Sequence, residues 1–148
     1  MSDPVFRGHT IFCDDIRHEA DGKITYVGCY SGIMYVHADF PFVVPKFGLS
    51  ITYMEMKGAY DGDVILRVYF PGDTDKPSLE GALDLQKVRD APLSPNPDPS
   101  EQPLYSAFNT NIVLSPLVLS GEGLIKVRIQ CGDELLKFGS LRIIKAPI

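Results

Sequence analysis

The chain has 148 residues, of which 45% are hydrophobic and 22% charged, a composition typical of a folded domain and not of a disordered segment. Its net charge is −5 and its basic residues are dispersed along the sequence, so we expect neither nucleic acid nor an acidic membrane as a partner. A signal-peptide pattern, an apolar run of about 18 residues and a CxxC pair are all absent, which favours a single cytoplasmic domain, 1–148, with reduced thiols and no cofactor.

The first predicted element is a β-hairpin. Its strands run over residues 10–17 and 23–30, which are rich in β-branched and aromatic residues, and turn residues occupy positions 20–22. Such a run, turn and run pattern is typical of two antiparallel strands. Residues 33–36 continue the second arm or start a new strand.

Reactive residue types are concentrated in this hairpin, where Cys13, Asp14, Asp15 and His18 follow one another closely. Strand alternation places the two aspartates on opposite faces, so they do not form a paired-carboxylate acid/base site. Five residues of extended strand separate the cysteine from the histidine by about 16 Å. We therefore expect packed thiols, with Cys13 and Cys29 as possible cross-strand neighbours, and carboxylates that cap turns. A cysteine-based enzyme is the least favoured alternative.

An apolar segment bounded by prolines follows at residues 40–47, with the sequence FPFVVPKF. Its side chains Phe40, Phe42, Val43 and Phe47 supply more apolar surface than a loop normally exposes. Two interpretations stay open: the segment covers one end of the core, or it forms a contact patch for a partner.

A second hairpin is predicted from two alternating strands at residues 46–57 and 63–70. Asp61 and Asp63 precede the later strand, and carboxylates in sandwich loops can hold a divalent ion, as they do in C2-type domains. A second acidic step at residues 73–75 lies about 33 Å away if the strand is extended, so one ion cannot use both steps. Turn roles are therefore favoured for these acids, and a metal site at the first step is the alternative.

Residues 79–88 fit a short strand or a short helix. Gly81 favours the strand, because an interior glycine costs a helix about 1 kcal/mol relative to alanine. Residues 90–103 contain five prolines and predict an exposed loop or a polyproline connector.

The clearest hairpin lies near the end of the chain. Apolar and polar residues alternate over residues 124–131, a turn signal follows at 132–133, and Gly139 marks a bulge in the returning strand. Together the patterns predict an all-β protein, an antiparallel two-sheet β-sandwich of eight or nine strands, immunoglobulin-like or C2-like.

With these elements in place, the sequence resembles a family of small bacterial proteins of unknown function. The resemblance covers most of the chain and consists of residues that define a fold. They are Cys13-Asp14, Gly22-Lys23, Gly28, Phe40-Pro41, Pro45-Lys46-Phe47-Gly48, Pro116-Leu117, Gly121, Gly123, Val127, Ile129, Gly132, Leu141 and Ile143. It implies a β-sandwich and carries no catalytic residues.

No HExxH, P-loop or GxSxG motif occurs in the sequence, so we favour a non-enzymatic protein-interaction or assembly module. The expected partner is another protein, met through residues 40–47 and the proline-rich loop, or a second copy of the chain. A second copy is expected to cover an outward face that carries Met54 and Met56, or Ile65 and Tyr69. A module that binds a small ligand or a divalent metal through loop acids is the alternative.

Overall fold

A computed structural model describes residues 3–91, 100 and 104–147, and these residues form an all-β structure with eleven strands and one short α-helix. The strands are β1 (Phe6–His18), β2 (Ile24–Cys29), β3 (Ile33–Val36), β4 (Phe42–Val44), β5 (Phe47–Met56), β6 (Val64–Tyr69), β7 (Leu79–Ala82), β8 (Tyr105–Leu114), β9 (Leu117–Leu119), β10 (Gly123–Cys131) and β11 (Glu134–Lys145). The helix α1 (Gln86–Asp90) lies between β7 and β8. In this part of the chain no helix is long and apolar enough to cross a membrane.

The described strands form three sheets. Their orders are β2-β1-β5-β8, β3-β11-β10-β6-β7 and the pair β4-β9. All ladders are antiparallel except the one between β3 and β11. The predicted number of strands is too low, because strands such as β4 and β9 have three residues each and are too short to show alternation.

Alternation predicted the inward faces of the longer strands correctly. Val64, Leu66 and Val68 of β6 are buried, and so are Val127 and Ile129 of β10. These side chains come from the five-stranded sheet, and they join one hydrophobic core with inward residues of β5 in the four-stranded sheet. Burial of these apolar side chains in one core is the main stabilising term that the sequence pattern provides.

Both hairpins at the ends of the chain are confirmed. In the first, β1 pairs with β2, and Cys13 lies directly opposite Cys29. In the last, β10 pairs with β11, and the register shifts next to Phe138 and Gly139. Gly139 has a φ of 120°, which a glycine adopts without strain, so the predicted bulge is present.

The predicted hairpin between residues 46–57 and 63–70 is wrong. Strand β5 pairs with β1 and β8, whereas β6 pairs with β10 and β7. The connection carries the chain from one sheet to the other, and the Tyr60 ring packs edge-on against Phe6 there. Alternation defines a strand's faces but not its neighbour, which explains the error.

Residues 79–88 form neither a single strand nor a single helix. A strand ends at Ala82, and α1 begins at Gln86. Between them Leu85 is buried in the core, and Val88 of the helix packs against it, so tertiary contact decides the change of structure. Of the predicted proline-rich loop at 90–103, residues 92–99 and 101–103 lie outside the described residues.

Candidate functional site

The structure does not assemble a reactive centre around Cys13. Its thiol is buried, with Sγ 3.7 Å from the carbonyl oxygen of Gly48. Burial raises the pKa of this thiol to about 11, and the neighbouring Cys29 and Asp14 add to the shift, so the sulfur is protonated at neutral pH. His18 lies at the far end of the same strand. The cysteine and the histidine therefore stay apart, as strand geometry predicts.

The two aspartates of this strand each have a structural partner. Asp14 accepts a hydrogen bond from the Tyr30 hydroxyl. Asp15 accepts one from the backbone N–H of Ile16 at 2.9 Å, and its other contacts include Lys46 Nζ at 3.3 Å. Desolvation acts to raise the pKa of Asp15, but the hydrogen bonds from these two donors outweigh it and hold the pKa below its ordinary value. Asp14 thus links the two arms of the hairpin, and Asp15 fastens the hairpin to Lys46.

At the first acidic step of the sequence a backbone carbonyl stabilises the turn, and at the second step the Asp73 carboxylate does so. The carbonyl oxygen of Asp63 accepts a hydrogen bond from the Tyr60 hydroxyl at 2.7 Å, and Asp61 lines a neighbouring cavity. Asp73 Oδ2 accepts from the backbone N–H of Ser78 at 3.0 Å and from its hydroxyl at 2.6 Å. Within residues 3–91, 100 and 104–147, no three His, Cys, Asp or Glu side chains are placed to share a metal ion.

The apolar segment at residues 40–47 mainly covers the core. Phe47 is completely buried, and Phe40 and Phe42 pack against the core from its edge. Val43 is 52% exposed and lies opposite Val118 of β9, which is also exposed. Of the four residues considered for a contact patch, Phe47 is not available to a partner, and Val43 is the most accessible.

A buried charged network, which the sequence analysis missed, lies at one end of the core. Glu55 is 3% exposed and accepts a hydrogen bond from the Tyr53 hydroxyl at 2.6 Å. Arg89 of α1 donates from Nε at 2.6 Å and from Nη2 at 3.0 Å to the same carboxylate. Burial, then the bond to Glu55, raises the pKa of Tyr53. The signal in the sequence is a carboxylate on the apolar face of a strand, two residues after Tyr53.

This network fastens α1 to the four-stranded sheet. Lys57 Nζ donates to the carbonyl oxygens of Val88, Arg89 and Ala91 at 3.1, 3.3 and 2.7 Å, and so caps the C-terminal end of the helix. A cavity of about 380 Å³ adjoins it, lined by Glu55, Lys57, Gly58, Ala59, Tyr60, Asp61, Arg89 and Ser106. The charged side chains of the network already bind one another and the end of α1. Stabilising the helix against the sheet therefore accounts for the network without a ligand.

The outward face of the five-stranded sheet carries a different arrangement of charge. Arg128 of β10 lies directly opposite Arg67 of β6 on one side and Lys137 of β11 on the other. Like charges placed directly opposite each other on neighbouring strands are destabilising. Glu80 relieves part of the repulsion through its ion pair with Arg67 Nε at 2.6 Å. Three cations in one row are an arrangement that folding alone does not favour.

Two more cations complete what we call the cationic face, the outward side of β3, β11, β10, β6 and β7. Lys126 lies over the Tyr69 ring, with Nζ 5.6 Å from its centroid, and Arg142 lies opposite Leu124. Among the described strand residues that point outward here, Glu80 is the one carboxylate. With five cations and one carboxylate the face carries a net +4. Since the whole chain is −5, the remainder carries −9.

Apolar side chains border these cations at the β3 side of the sheet. Tyr35 is 55% exposed, and Ile33 and Leu124 are exposed as well. An open cavity of about 540 Å³ lies beside them, lined by Glu122, Gly123, Leu124, Arg142, Ile143 and Ile144. Cations and apolar surface on one face are the combination found where a charged and apolar partner binds.

Comparisons with known proteins identify a family without a known role. Residues 9–144 match the model of a family of unknown function, DUF6941. No curated protein and no solved structure matches the chain. The surface itself therefore has to supply the argument for a function.

Proposed function

Because the chain belongs to this family of unknown function, we propose its role from the cationic face: a non-enzymatic module that binds an acidic segment of a partner protein. The observation that carries the proposal is the row of Arg67, Arg128 and Lys137, which are direct cross-strand neighbours. Their mutual repulsion lowers the free energy of unfolding. The carboxylates of an acidic partner attract all three cations and offset this repulsion.

The two larger sheets support this role as the layers of a β-sandwich, in our interpretation. Strands β6, β10 and β11 bury their inward side chains in the shared core, and Val127, Ile129 and Leu141 are completely buried. A close-packed core holds the outward side chains on rigid strands. The cationic face is thereby preorganised, which lowers the entropy cost of binding.

An acidic protein segment fits this face better than a nucleic acid does. The remainder of the chain carries a formal −9, so a polyanion long enough to extend beyond the face meets net repulsion there. A single strand of nucleic acid stacks successive bases on several aromatic rings, but of the two outward tyrosines of this face Tyr69 lies beneath Lys126, which leaves Tyr35 as the open ring. A short peptide with alternating carboxylates and apolar side chains matches both the cations and the exposed Ile33 and Tyr35.

The test uses a fluorescent peptide that alternates glutamate with leucine, and a single-stranded oligonucleotide of equal charge. We expect the peptide to shift the amide resonances of β6, β10 and β11. The double variant Lys126→Glu, Arg142→Glu should weaken its affinity roughly tenfold or more.

A matched control reverses the same amount of charge elsewhere. Lys23 and Lys87 are exposed and lie outside the five-stranded sheet, so the double variant Lys23→Glu, Lys87→Glu should change the affinity far less. Equal losses in the two variants would reduce the effect to net charge and contradict the proposed site. Tighter binding of the oligonucleotide than of the peptide would contradict the proposed partner.

A further inference from the structure

Strand β8 forms one edge of the four-stranded sheet, and we propose that a second copy of the chain pairs with it there. The pairing is antiparallel, β8 against β8 across a two-fold axis, so that two four-stranded sheets become one continuous sheet. Such a contact is isologous, with the same residues from both copies, as in most soluble dimers. The proposal concerns the sheet opposite the cationic face and does not depend on the acidic partner.

The first support is the contrast between β8 and the other sheet edges. Strand β8 has ten residues, YSAFNTNIVL, without a charge or a proline. Strands β3 and β7 have four residues each, and β7 carries Glu80. Strand β2 contains Gly28 with a φ of 68°, which bends the ladder. Short length, charge, proline and irregular backbone are the features that keep an edge strand from pairing. Strand β8 is long and contains no charged residue and no proline.

The second support is that pairing with β5 holds the backbone of β8 in a regular extended conformation, which a further strand can pair with. It pairs with β5 over its whole length, from Tyr105 to Leu114. The Asn109 side-chain amide donates to Ser50 Oγ and to Thr52 Oγ1, both at 3.0 Å, and so ties the outward face of β8 to its neighbour. Ser106 contacts α1 from the inward side of the strand, because it lies opposite the buried Glu55. This contact of the helix therefore lies beneath the sheet.

The third support is charge, which identifies the occupant. Two copies of a chain with net charge −5 repel each other except where the facing surfaces are neutral. The outward neighbours of β8 on β5 include Ser50, Thr52 and Met54, so the border of this edge is uncharged beside residues 107–111, whereas Arg7 lies over the Tyr105 ring at the end of the strand. Met54 was among the residues considered for self-association on sequence grounds. A second copy thus fits this edge better than a partner that needs opposite charge.

The test needs no substitution at first. Solution mass is measured as the concentration rises, and amide hydrogen exchange is followed in the same samples. We expect twice the mass of one chain, together with slower exchange in residues 105–114 and unchanged exchange in residues 24–29. A mass that stays at one chain throughout would overturn the proposal. A dimer whose added protection lies outside β8 would overturn it as well.

Variants then separate edge pairing from general hydrophobic contact. Ala107 and Val113 are exposed on the outward face of β8, and Ala107→Lys with Val113→Lys should raise the dimer dissociation constant roughly tenfold or more. The control is Val43→Lys with Val118→Lys, which adds the same charge to the exposed pair on β4 and β9. Equal effects of the two double variants, with unchanged far-ultraviolet circular dichroism, would contradict the assignment to β8.

Discussion

The three cysteines show how strongly a single residue depends on its surroundings. Cys13 and Cys131 are buried and Cys29 is exposed. The pKa of Cys13 is raised to about 11 by burial, so its thiol stays protonated at pH 8. Burial also raises the pKa of Cys131. The two buried sulfur atoms are therefore protected from thiol reagents, because reagents do not reach them and because both thiols stay protonated.

We expect one fast-reacting thiol in each folded chain when a chromogenic disulfide reagent is added at pH 8. Unfolding in denaturant should release all three thiols, because the protection comes from burial. The variant Cys29→Ser should remove the fast phase and leave the slow ones. A fast phase that survives this substitution would mean that a buried cysteine is reactive, and would revive a cysteine-based chemistry.

The ion pair between Glu55 and Arg89 makes a second prediction at this scale. Glu55 is 3% exposed as a side chain and Arg89 is 22% exposed, so Glu55→Gln leaves a largely buried guanidinium without its counter-charge. We expect the free energy of unfolding to fall by about 3 kcal/mol, measured by urea denaturation.

The matched control for that substitution is Glu80→Gln. Its carboxylate also pairs with an arginine, Arg67 Nε at 2.6 Å, but is 53% exposed, and an exposed pair contributes about 1 kcal/mol or less. Equal losses of unfolding free energy in the two variants would show that burial does not strengthen the ion pair between Glu55 of β5 and Arg89 of α1.

Among elements, the bulge in β11 depends on one backbone conformation. Gly139 has a φ of 120°, and a Cβ built on it comes no closer than 3.6 Å to Thr10. The variant Gly139→Ala thus tests backbone strain without a steric clash, and we expect the free energy of unfolding to fall by about 1–3 kcal/mol, measured by thermal or urea unfolding.

Gly81→Ala is the control, since the backbone of Gly81 does not require a glycine and a Cβ built there meets nothing within 4 Å. Its effect should be within about 1 kcal/mol, and in the stabilising direction. A loss as large for Gly81 as for Gly139 would contradict this account.

The elements also show which information a single sequence holds. Strands β6 and β10 follow from alternation, since one residue in two must face the core, and the bulge follows from a glycine inside an alternating run. Pairing partners do not follow. Residues 33–36 lie beside the C-terminal strand β11 in a parallel ladder, and β5 leaves its neighbour in sequence for β1 and β8. These choices depend on the shape of the whole core, to which no local pattern is sensitive.

For the whole molecule, the same limit explains why the cationic face was not foreseen. Lys126 and Arg128 are two residues apart, and this spacing in a strand predicts one face. Arg67, Lys137 and Arg142 reach that face through pairing with β10. The basic residues are therefore dispersed along the sequence, but five of them are gathered on one face of the folded sheet. The buried Glu55 was recognisable in principle, because a carboxylate on an apolar face requires a partner, but the identity of Arg89 was not.

The two proposed surfaces predict opposite responses to salt in one molecule. Binding of the acidic peptide to the cationic face is an attraction between unlike charges, and the Debye length falls from about 30 Å at 0.01 M to about 8 Å at 0.15 M. Over this range we expect the peptide affinity to fall roughly tenfold, as measured by fluorescence anisotropy. Association through β8 brings two chains of net charge −5 together at an uncharged edge, so screening should strengthen it.

Sedimentation of the same samples measures the second response. The dimer fraction should rise with salt while peptide binding falls, because the contact at β8 gains from reduced repulsion and loses no ion pair. The variant Lys126→Glu, Arg142→Glu supplies the control, since it weakens the peptide site and leaves β8 unchanged. If self-association weakens with salt, and also weakens in this variant, then the cationic face of one copy binds the acidic remainder of the next. That contact is heterologous and builds either a ring or an open chain of copies, so the mass would grow beyond two chains, which an edge-paired dimer does not do.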